Sequence, residues 1–375
     1  MSAWLEPFAD ELLSSWLERR RRGHPPPFDA NFRAYQDAKG HWHHPDVHPQ
    51  QAMIHAIAAR YDAAPDKISH LALGFRYRKI SDPFIAWHYF PPDYPVWGSI
   101  PQPTLRRAWC SRCLAEDFAA DRTAYIRADW VVAALSFCPR HRWPLLDRCI
   151  TCGSGNWTIK RATRGPPRMF CNNCHRSLER AHPKALEVEV VARPFWDKIA
   201  AFEAALRGAL GEKVPNQFRF NNTSARQLLE ETSEICLLLS RCHARLALRD
   251  LLFERFASPA LTLSQDCYQD LPYEMPLALA EVPLRRCVLA ICAAILDSSF
   301  ETGNVWEEDG EPALDLLAQI ASDSAVDRFV RDRRACSSTL ERQVSAARQR
   351  NERRERIWQL RHAVKSLESL FRSTV

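Results

Sequence analysis

A chain of 375 residues that is 46% hydrophobic and holds only 11 glycines has room for two or three domains and the composition of a helical globular protein, not a disordered one. Its 51 Lys and Arg against 45 Asp and Glu leave a net charge of +6, which is compatible with a polyanionic partner. Glu6, Asp10 and Glu11 break the early apolar run, so no signal peptide is expected. No run nears the roughly 20 apolar residues of a bilayer span, and the chain is expected in the cytoplasm.

The first predicted helix covers residues 7–22. Pro7 suits a first turn, Asp10 and Glu11 the positive end, Arg19 to Arg22 the negative end, and Leu12, Leu13, Trp16 and Leu17 form an apolar stripe. Pro25, Pro26 and Pro27 stop it. His41, His43, His44 and His48 then crowd around Trp42 and Pro45. They could form a third metal site, but their close, proline-rich spacing without cysteine reads as a surface loop.

Residues 49–73 read as helix, short turn, helix. Met53, Ile54, Ile57, Ala58 and Tyr61 make the first apolar face, Ala63 to Asp66 the break, and Ile68, Leu71 and Leu73 carry the second helix. This is the outline of a helix-turn-helix, with Lys67, Arg76, Arg78 and Lys79 placed to meet phosphates, although any helical hairpin in a core has the same outline. Six prolines between Pro83 and Pro103 make residues 81–105 an extended connector.

Four short pairs follow within about 65 residues: Cys110 with Cys113, Cys138 with His141, Cys149 with Cys152, and Cys171 with Cys174. A two-residue gap lets a tight turn aim both side chains at one ion, so four pairs predict two tetrahedral, structural zinc sites. Sequential pairing gives one site of three cysteines and a histidine (Cys110, Cys113, Cys138, His141) and one of four cysteines (Cys149, Cys152, Cys171, Cys174). A cross-braced pairing uses the same eight residues. With four protein ligands each, neither site keeps a position for water or substrate, which weighs against an enzyme. Seven of the 13 cysteines lie in these pairs, whereas six (Cys236, Cys242, Cys267, Cys287, Cys292, Cys336) stand singly, as core-filling thiols of a reducing compartment do. Between the first two pairs Ala124 to Leu135 reads as a helix. Lys160, Arg161, Arg164 and Arg168 make the loop from Trp157 to Arg168 basic, a candidate nucleic-acid contact.

Beyond Pro194 the chain is predicted helical over 195–210, 225–256 and 277–296, with an acidic linker at Glu301 to Glu311. A last helix is expected from about Cys336 to Phe371. Its stripe of Ile357, Leu360, Val364, Leu367 and Phe371 is expected to pack on the same chain, with a dimer seam as the alternative, and Arg353, Arg354, Arg356 and Arg361 flank it. Residues 328–375 carry 13 Lys and Arg against five acids, a basic tail that suits phosphate contact and equally a solvated helix face. The expected fold is mainly α: a helix-turn-helix-like domain over 1–105, a double zinc module over 106–182, a helical domain over 190–300, and C-terminal helices with the basic tail over 312–375.

Two passages together resemble a known family. One is Asp10 through Arg19 after Pro7. The other joins Trp109 through Asp117, Tyr125 through Trp130, and Cys138 through Gly153. This constellation resembles the TniQ family, target-site accessory proteins of bacterial transposons, over roughly residues 7–180. Two positions depart from the family pattern: Ser111 stands for the usual proline after the first cysteine, and Arg142 for the glycine that often follows the ligand histidine. Neither is a ligand. The resemblance implies a non-catalytic adaptor that links target recognition to an AAA+ ATPase. Such proteins bind DNA directly or dock, in some cases as dimers, on an RNA-guided CRISPR complex. The competing readings are a zinc-containing transcriptional regulator and a protein scaffold without DNA contact. No His-Glu-x-x-His, deaminase signature or phosphate loop supports an enzyme.

Overall fold

In a computed structural model the described residues are 6–21, 35–36, 42–81, 84–88, 104–161, 165–180, 183–211, 224–241, 277–296 and 338–373. Helix α1 (Leu13–Arg21) starts six residues after Pro7, where the sequence places its beginning. Tertiary pairing displaces the first turns. Leu12 N donates to Ile126 O at 2.9 Å, Glu11 bridges Arg127, and Glu11 N closes a turn onto Phe8 O at 3.1 Å. The start of α1 is capped from a distance, because Ser14 N and Oγ donate to the two carboxylate oxygens of Asp46 at 2.7 and 2.6 Å.

That cap corrects the reading of the histidine-rich stretch as a surface loop. His44, Asp46 and Val47 are buried, and His44 Nδ1 accepts from Asp46 N at 3.1 Å. Strands β1 (Tyr35–Gln36) and β2 (Trp42–His43) pair antiparallel just before it.

Helix α2 (Gln51–Tyr61) ends at Asp62, whose φ of 51° is left-handed. The second helix of the expected pair is split into α3 (Pro65–Ser69) and α4 (Leu73–Arg76). The split has a cause: Leu73 N and Gly74 N donate to Asp46 O and Val47 O, each at 2.8 Å, which pulls the chain off the helical path. Gly74 permits the approach, since a Cβ there would lie 2.7 Å from Val47 O. Leu13, Trp16 and Leu17 of α1 bury with Ile54, Ile57, Ala58, Ile68 and Leu71 in a small separate core.

Strands β3 (Trp87–His88) and β4 (Thr104–Leu105) pair antiparallel and enter the central module, so the connector closes on itself there; Pro83 and residues 89–103 lie outside the described residues. Helix α5 (Ser111–Ala119) follows. The predicted helix over Ala124 to Leu135 is not formed; only one 3-10 turn, Ala128–Val131, occurs within it. Its amides bond elsewhere: Ala124 N to Pro167 O, Ala128 N to Asp10 O, and Ala133 N to Phe84 O, at 2.8 to 2.9 Å. Ile126, Ala128 and all of Trp130 to Leu135 are buried, so this is a central strap with no solvent face to make it amphipathic.

Strands β5 (Trp157–Lys160) and β6 (Arg168–Cys171) form a third antiparallel hairpin, with Trp157 opposite Cys171 and Lys160 opposite Arg168. Helix α6 (Pro183–Leu210) begins earlier than expected and runs through Pro194. Helices α7 (Ala225–Arg241) and α8 (Val282–Leu296) pack on α6 and on each other. Residues 242–256 of the expected second helix, and the acidic linker, lie outside the described residues. The main core runs from Trp109, Trp130 and Trp143 through Phe202 and Leu206 of α6 to Leu289 and Ile291 of α8.

Helix α9 (Ser338–Ser373) touches α8 and buries Leu340 and Val344. The stripe expected to pack on the same chain does not do so on the described residues. Ile357, Trp358, Leu360 and Val364 are 51%, 61%, 66% and 53% exposed. The side chains of Leu367 and Phe371 are not among those described. The fold is mostly helical, and no helix among the described residues is long and apolar enough to cross a membrane.

Candidate metal centre

Each ligand pair sits on a turn that its neighbours force. Cys110 is the extended residue before α5, and Cys113 lies in that helix's first turn, so one helix start aims both sulfurs the same way. The other three pairs share one turn. The residue after the second ligand is left-handed in each, at Arg142 (φ 47°), Gly153 (φ 73°) and His175 (φ 57°). Its amide returns to the carbonyl of the first ligand: Arg142 N to Cys138 O at 2.7 Å, Gly153 N to Cys149 O at 2.8 Å, and His175 N to Cys171 O at 3.0 Å. Thus the place where Arg142 replaces the family's frequent glycine is one where glycine carries no steric penalty.

The turns gather the eight side chains into two clusters, Cys110, Cys113, Cys138 and His141 in one, and Cys149, Cys152, Cys171 and Cys174 in the other. Of the two pairings open in the sequence, this is the sequential one. In the first cluster His141 Nδ1 lies 3.5, 3.3 and 3.6 Å from the sulfurs of Cys110, Cys113 and Cys138, and Cys113 Sγ lies 3.6 Å from Cys138 Sγ. In the second, Cys149 and Cys174 are 3.6 Å apart and Cys152 and Cys171 are 3.5 Å apart. A tetrahedral zinc ion with Zn–S of about 2.3 Å and Zn–N of about 2.05 Å places its ligand atoms about 3.6 to 3.8 Å from each other. The donor sets therefore fit such an ion in type, number and spacing.

Held this close, the ligand groups shift one another's protonation. Hydrogen bonding to Cys110 and Cys138 pushes the Cys113 thiol well up, whereas hydrogen bonding to Cys110 and Cys113 holds Cys138 well down. Contact with the Cys110 and Cys138 sulfurs raises His141 to about 10. A zinc ion bound here would take the cysteines as thiolates and the histidine as a neutral ring. In the second cluster a backbone hydrogen bond from Ser154 lowers the Cys152 thiol to about 6. The two clusters differ in cover: Cys110, Cys113 and Cys138 are buried, whereas Cys152 is exposed and Cys174 half-buried.

Sequence reasoning missed Glu116, which stands behind the first cluster with Oε1 2.8 Å from His141 Nε2 and Oε2 2.7 Å from Arg140. The available signal was its position three residues after Cys113 in a helix, which puts both on one face.

The first cluster lies inside a stretch that has relatives. A protein-family model, TniQ, matches residues 3–145. Residues 3–145 form a TniQ domain. It ends at Leu145 and therefore contains the first cluster whole and none of the second, a shorter span than the resemblance over 7–180. A TniQ domain marks a transposition-associated protein. No curated protein matches the chain.

The structure scatters the basic residues singled out for phosphate contact. In the TniQ domain Lys67 pairs with Glu6 at 3.7 Å on the surface, and Arg76 donates to Ala9 O at 2.8 Å, clasping the N-terminal segment. Arg78 and Lys79 are exposed just after α4. On the hairpin Lys160 lies over the Phe170 ring and Arg161 is exposed, whereas Arg164 lies outside the described residues. Arg353 and Arg356 are exposed on α9, and the side chain of Arg354 is not among those described. The described cations of this set sit on separate elements: Lys67 on α3, Arg76 on α4, Arg78 and Lys79 just after it, Lys160 and Arg161 on or beside β5, and Arg353 and Arg356 on α9.

Proposed function

We propose that the chain is a non-catalytic adaptor in DNA transposition, which holds two structural zinc ions and joins a target-recognition step to an AAA+ ATPase. The observation that carries this reading is the TniQ domain over residues 3–145, which encloses a complete three-cysteine, one-histidine ligand set. Closed ligand sets support a structural and not a catalytic metal. Zinc supplied at these sites would hold α5, the knuckle at Cys138 and the β5–β6 hairpin in register, and its role ends there.

DNA is part of the proposal. Its support is the basic excess of residues 328–375 and the exposure of Arg353 and Arg356 on α9. Affinity of this kind is mainly electrostatic and falls steeply with salt. The same reading includes the four-part division at 1–105, 106–182, 190–300 and 312–375. It leaves target recognition to DNA itself or to an RNA-guided complex, and a second copy of the chain to the exposed stripe of α9.

The test is zinc content of the purified chain together with capture of partners from cells that carry the neighbouring genes. Two zinc ions and a co-purifying AAA+ ATPase are expected. Two zinc ions and sequence-specific binding to the chain's own promoter, with no ATPase, would replace the adaptor by a regulator. A chain free of zinc would remove the basis of the proposal.

A further inference from the structure

Three features stand outside the reading above: the exposed apolar stripe on α9, a groove between Lys79 and α7, and the carboxylate behind His141. For the stripe and the groove, nothing in the described residues says what would cover them. The carboxylate has defined partners at both oxygens.

Helix α5 delivers a ligand and a carboxylate from one face, since Cys113 and Glu116 are three residues apart. His141 turns Nδ1 toward the three sulfurs at 3.3 to 3.6 Å and Nε2 toward Glu116 Oε1 at 2.8 Å. An imidazole that ligates through Nδ1 must carry its proton on Nε2, and an acceptor at hydrogen-bond distance from Nε2 selects that tautomer. The second carboxylate oxygen lies 2.7 Å from Arg140, a residue inside the Cys138-to-His141 turn. Glu116 therefore grips the turn at two points, one at the ring and one beside it.

We infer that Glu116 is the positioning residue of the three-cysteine, one-histidine site: it holds His141 in the Nε2-protonated tautomer with Nδ1 aimed at the metal, and ties the second ligand turn to the helix that carries Cys113. The inference rests on that cluster holding zinc. It assigns the residue a role toward the metal that is separate from helix stability, because the Glu116 side chain is half exposed and its carboxylate meets His141 and Arg140 of the ligand turn.

The test uses the full chain as wild type, E116Q and E116A. Cobalt replaces zinc so that the three-sulfur, one-nitrogen site and the four-sulfur site are followed at separate wavelengths during chelator titration. Removing an outer carboxylate from a ligand histidine typically weakens metal binding about 10- to 100-fold. E116A is expected to lose that much at the mixed site and nothing at the four-sulfur site. E116Q retains an acceptor oxygen but no charge, and is expected to fall between E116A and wild type. In the zinc-loaded proteins the Nε2 proton of His141, followed by nitrogen NMR, is expected to exchange slowly with solvent in wild type, where Glu116 accepts it, and faster in E116A. Equal metal affinity at the mixed site in all three proteins would overturn the inference alone. A mixed site that takes no metal in wild type would instead overturn the reading of the cluster, and this inference with it. If E116A does not fold, E116Q decides: the glutamine keeps an acceptor but cannot pair with Arg140 as an ion, so wild-type metal affinity at the mixed site in E116Q would overturn the inference.

Discussion

Glu203 of α6 is fully buried beneath the second ligand turn, where it accepts from Phe137 N at 2.8 Å and from Ser136 Oγ. Burial raises its carboxyl from 4.5 to about 7. Because the folded value lies above the unfolded one, its contribution to stability is full below pH 4.5 and is lost as pH climbs through about 7. From about pH 6 to about pH 8.5, the zinc-saturated wild type is expected to lose about 1 kcal/mol that E203Q keeps. Chemical denaturation of both proteins across that range measures it, and parallel curves would show that Glu203 does not titrate there. Arg142 offers a simpler check. Its φ of 47° strains any side chain, and its ion pair with Asp197 at 3.7 Å is exposed and worth little. R142G is expected to raise stability by about 1 kcal/mol, and a loss of stability instead would mean that the side chain matters more than the backbone.

At the scale of elements, the two clusters have unequal neighbourhoods although their ligand turns are alike. Both send cysteines into the main core, but the first buries all three of its sulfurs beneath α5, whereas the second buries Cys149 and Cys171 and leaves Cys152 exposed and Cys174 half-buried. A chelator should therefore empty the four-cysteine site first. Stopped-flow zinc release is expected in two phases, and C174A should abolish the fast one only. A single phase carrying both ions would contradict this difference in cover. H141A acts on the other site, whose turn is part of the core. Structural zinc in small domains supplies on the order of 10 kcal/mol of folding free energy, so H141A is expected to unfold the central region and not merely the turn. Retention of wild-type melting and zinc content would remove the site as described.

Across the whole molecule, α9 is the long helix whose described side chains lie mostly in solvent. Only Leu340 and Val344 are buried among its described side chains, whereas Ile357, Leu360 and Val364 face solvent and basic residues surround them. Truncation after Asp327 is therefore expected to leave both zinc ions in place. DNA affinity is expected to drop, with a shallower dependence on salt, because each phosphate contact removed lowers the slope by about 0.9. Filter binding at several salt concentrations measures this, and an unchanged slope would return the tail to a solvated helix.

The metal clusters were legible in the chain because a ligand turn is local. Two residues of spacing suffice to aim Cys138 and His141 together, and the residue types state the chemistry. Helices α2 and α8 were legible for a similar reason, since their apolar periodicity is a property of the segment. What only the tertiary structure decided is everything that depends on distant partners. It chose sequential over cross-braced pairing, because the β5–β6 hairpin sets Cys171 opposite Trp157 and turns its end back toward Cys149. It undid the helix expected over Ala124 to Leu135 by offering those amides carbonyls from Asp10, Phe84 and Pro167. It buried His44 and Asp46, which composition alone places in solvent, by using Asp46 to cap α1. It also brought Glu116 to His141: helical spacing puts Glu116 on the face of Cys113, but only the fold sets that face against a turn 25 positions away.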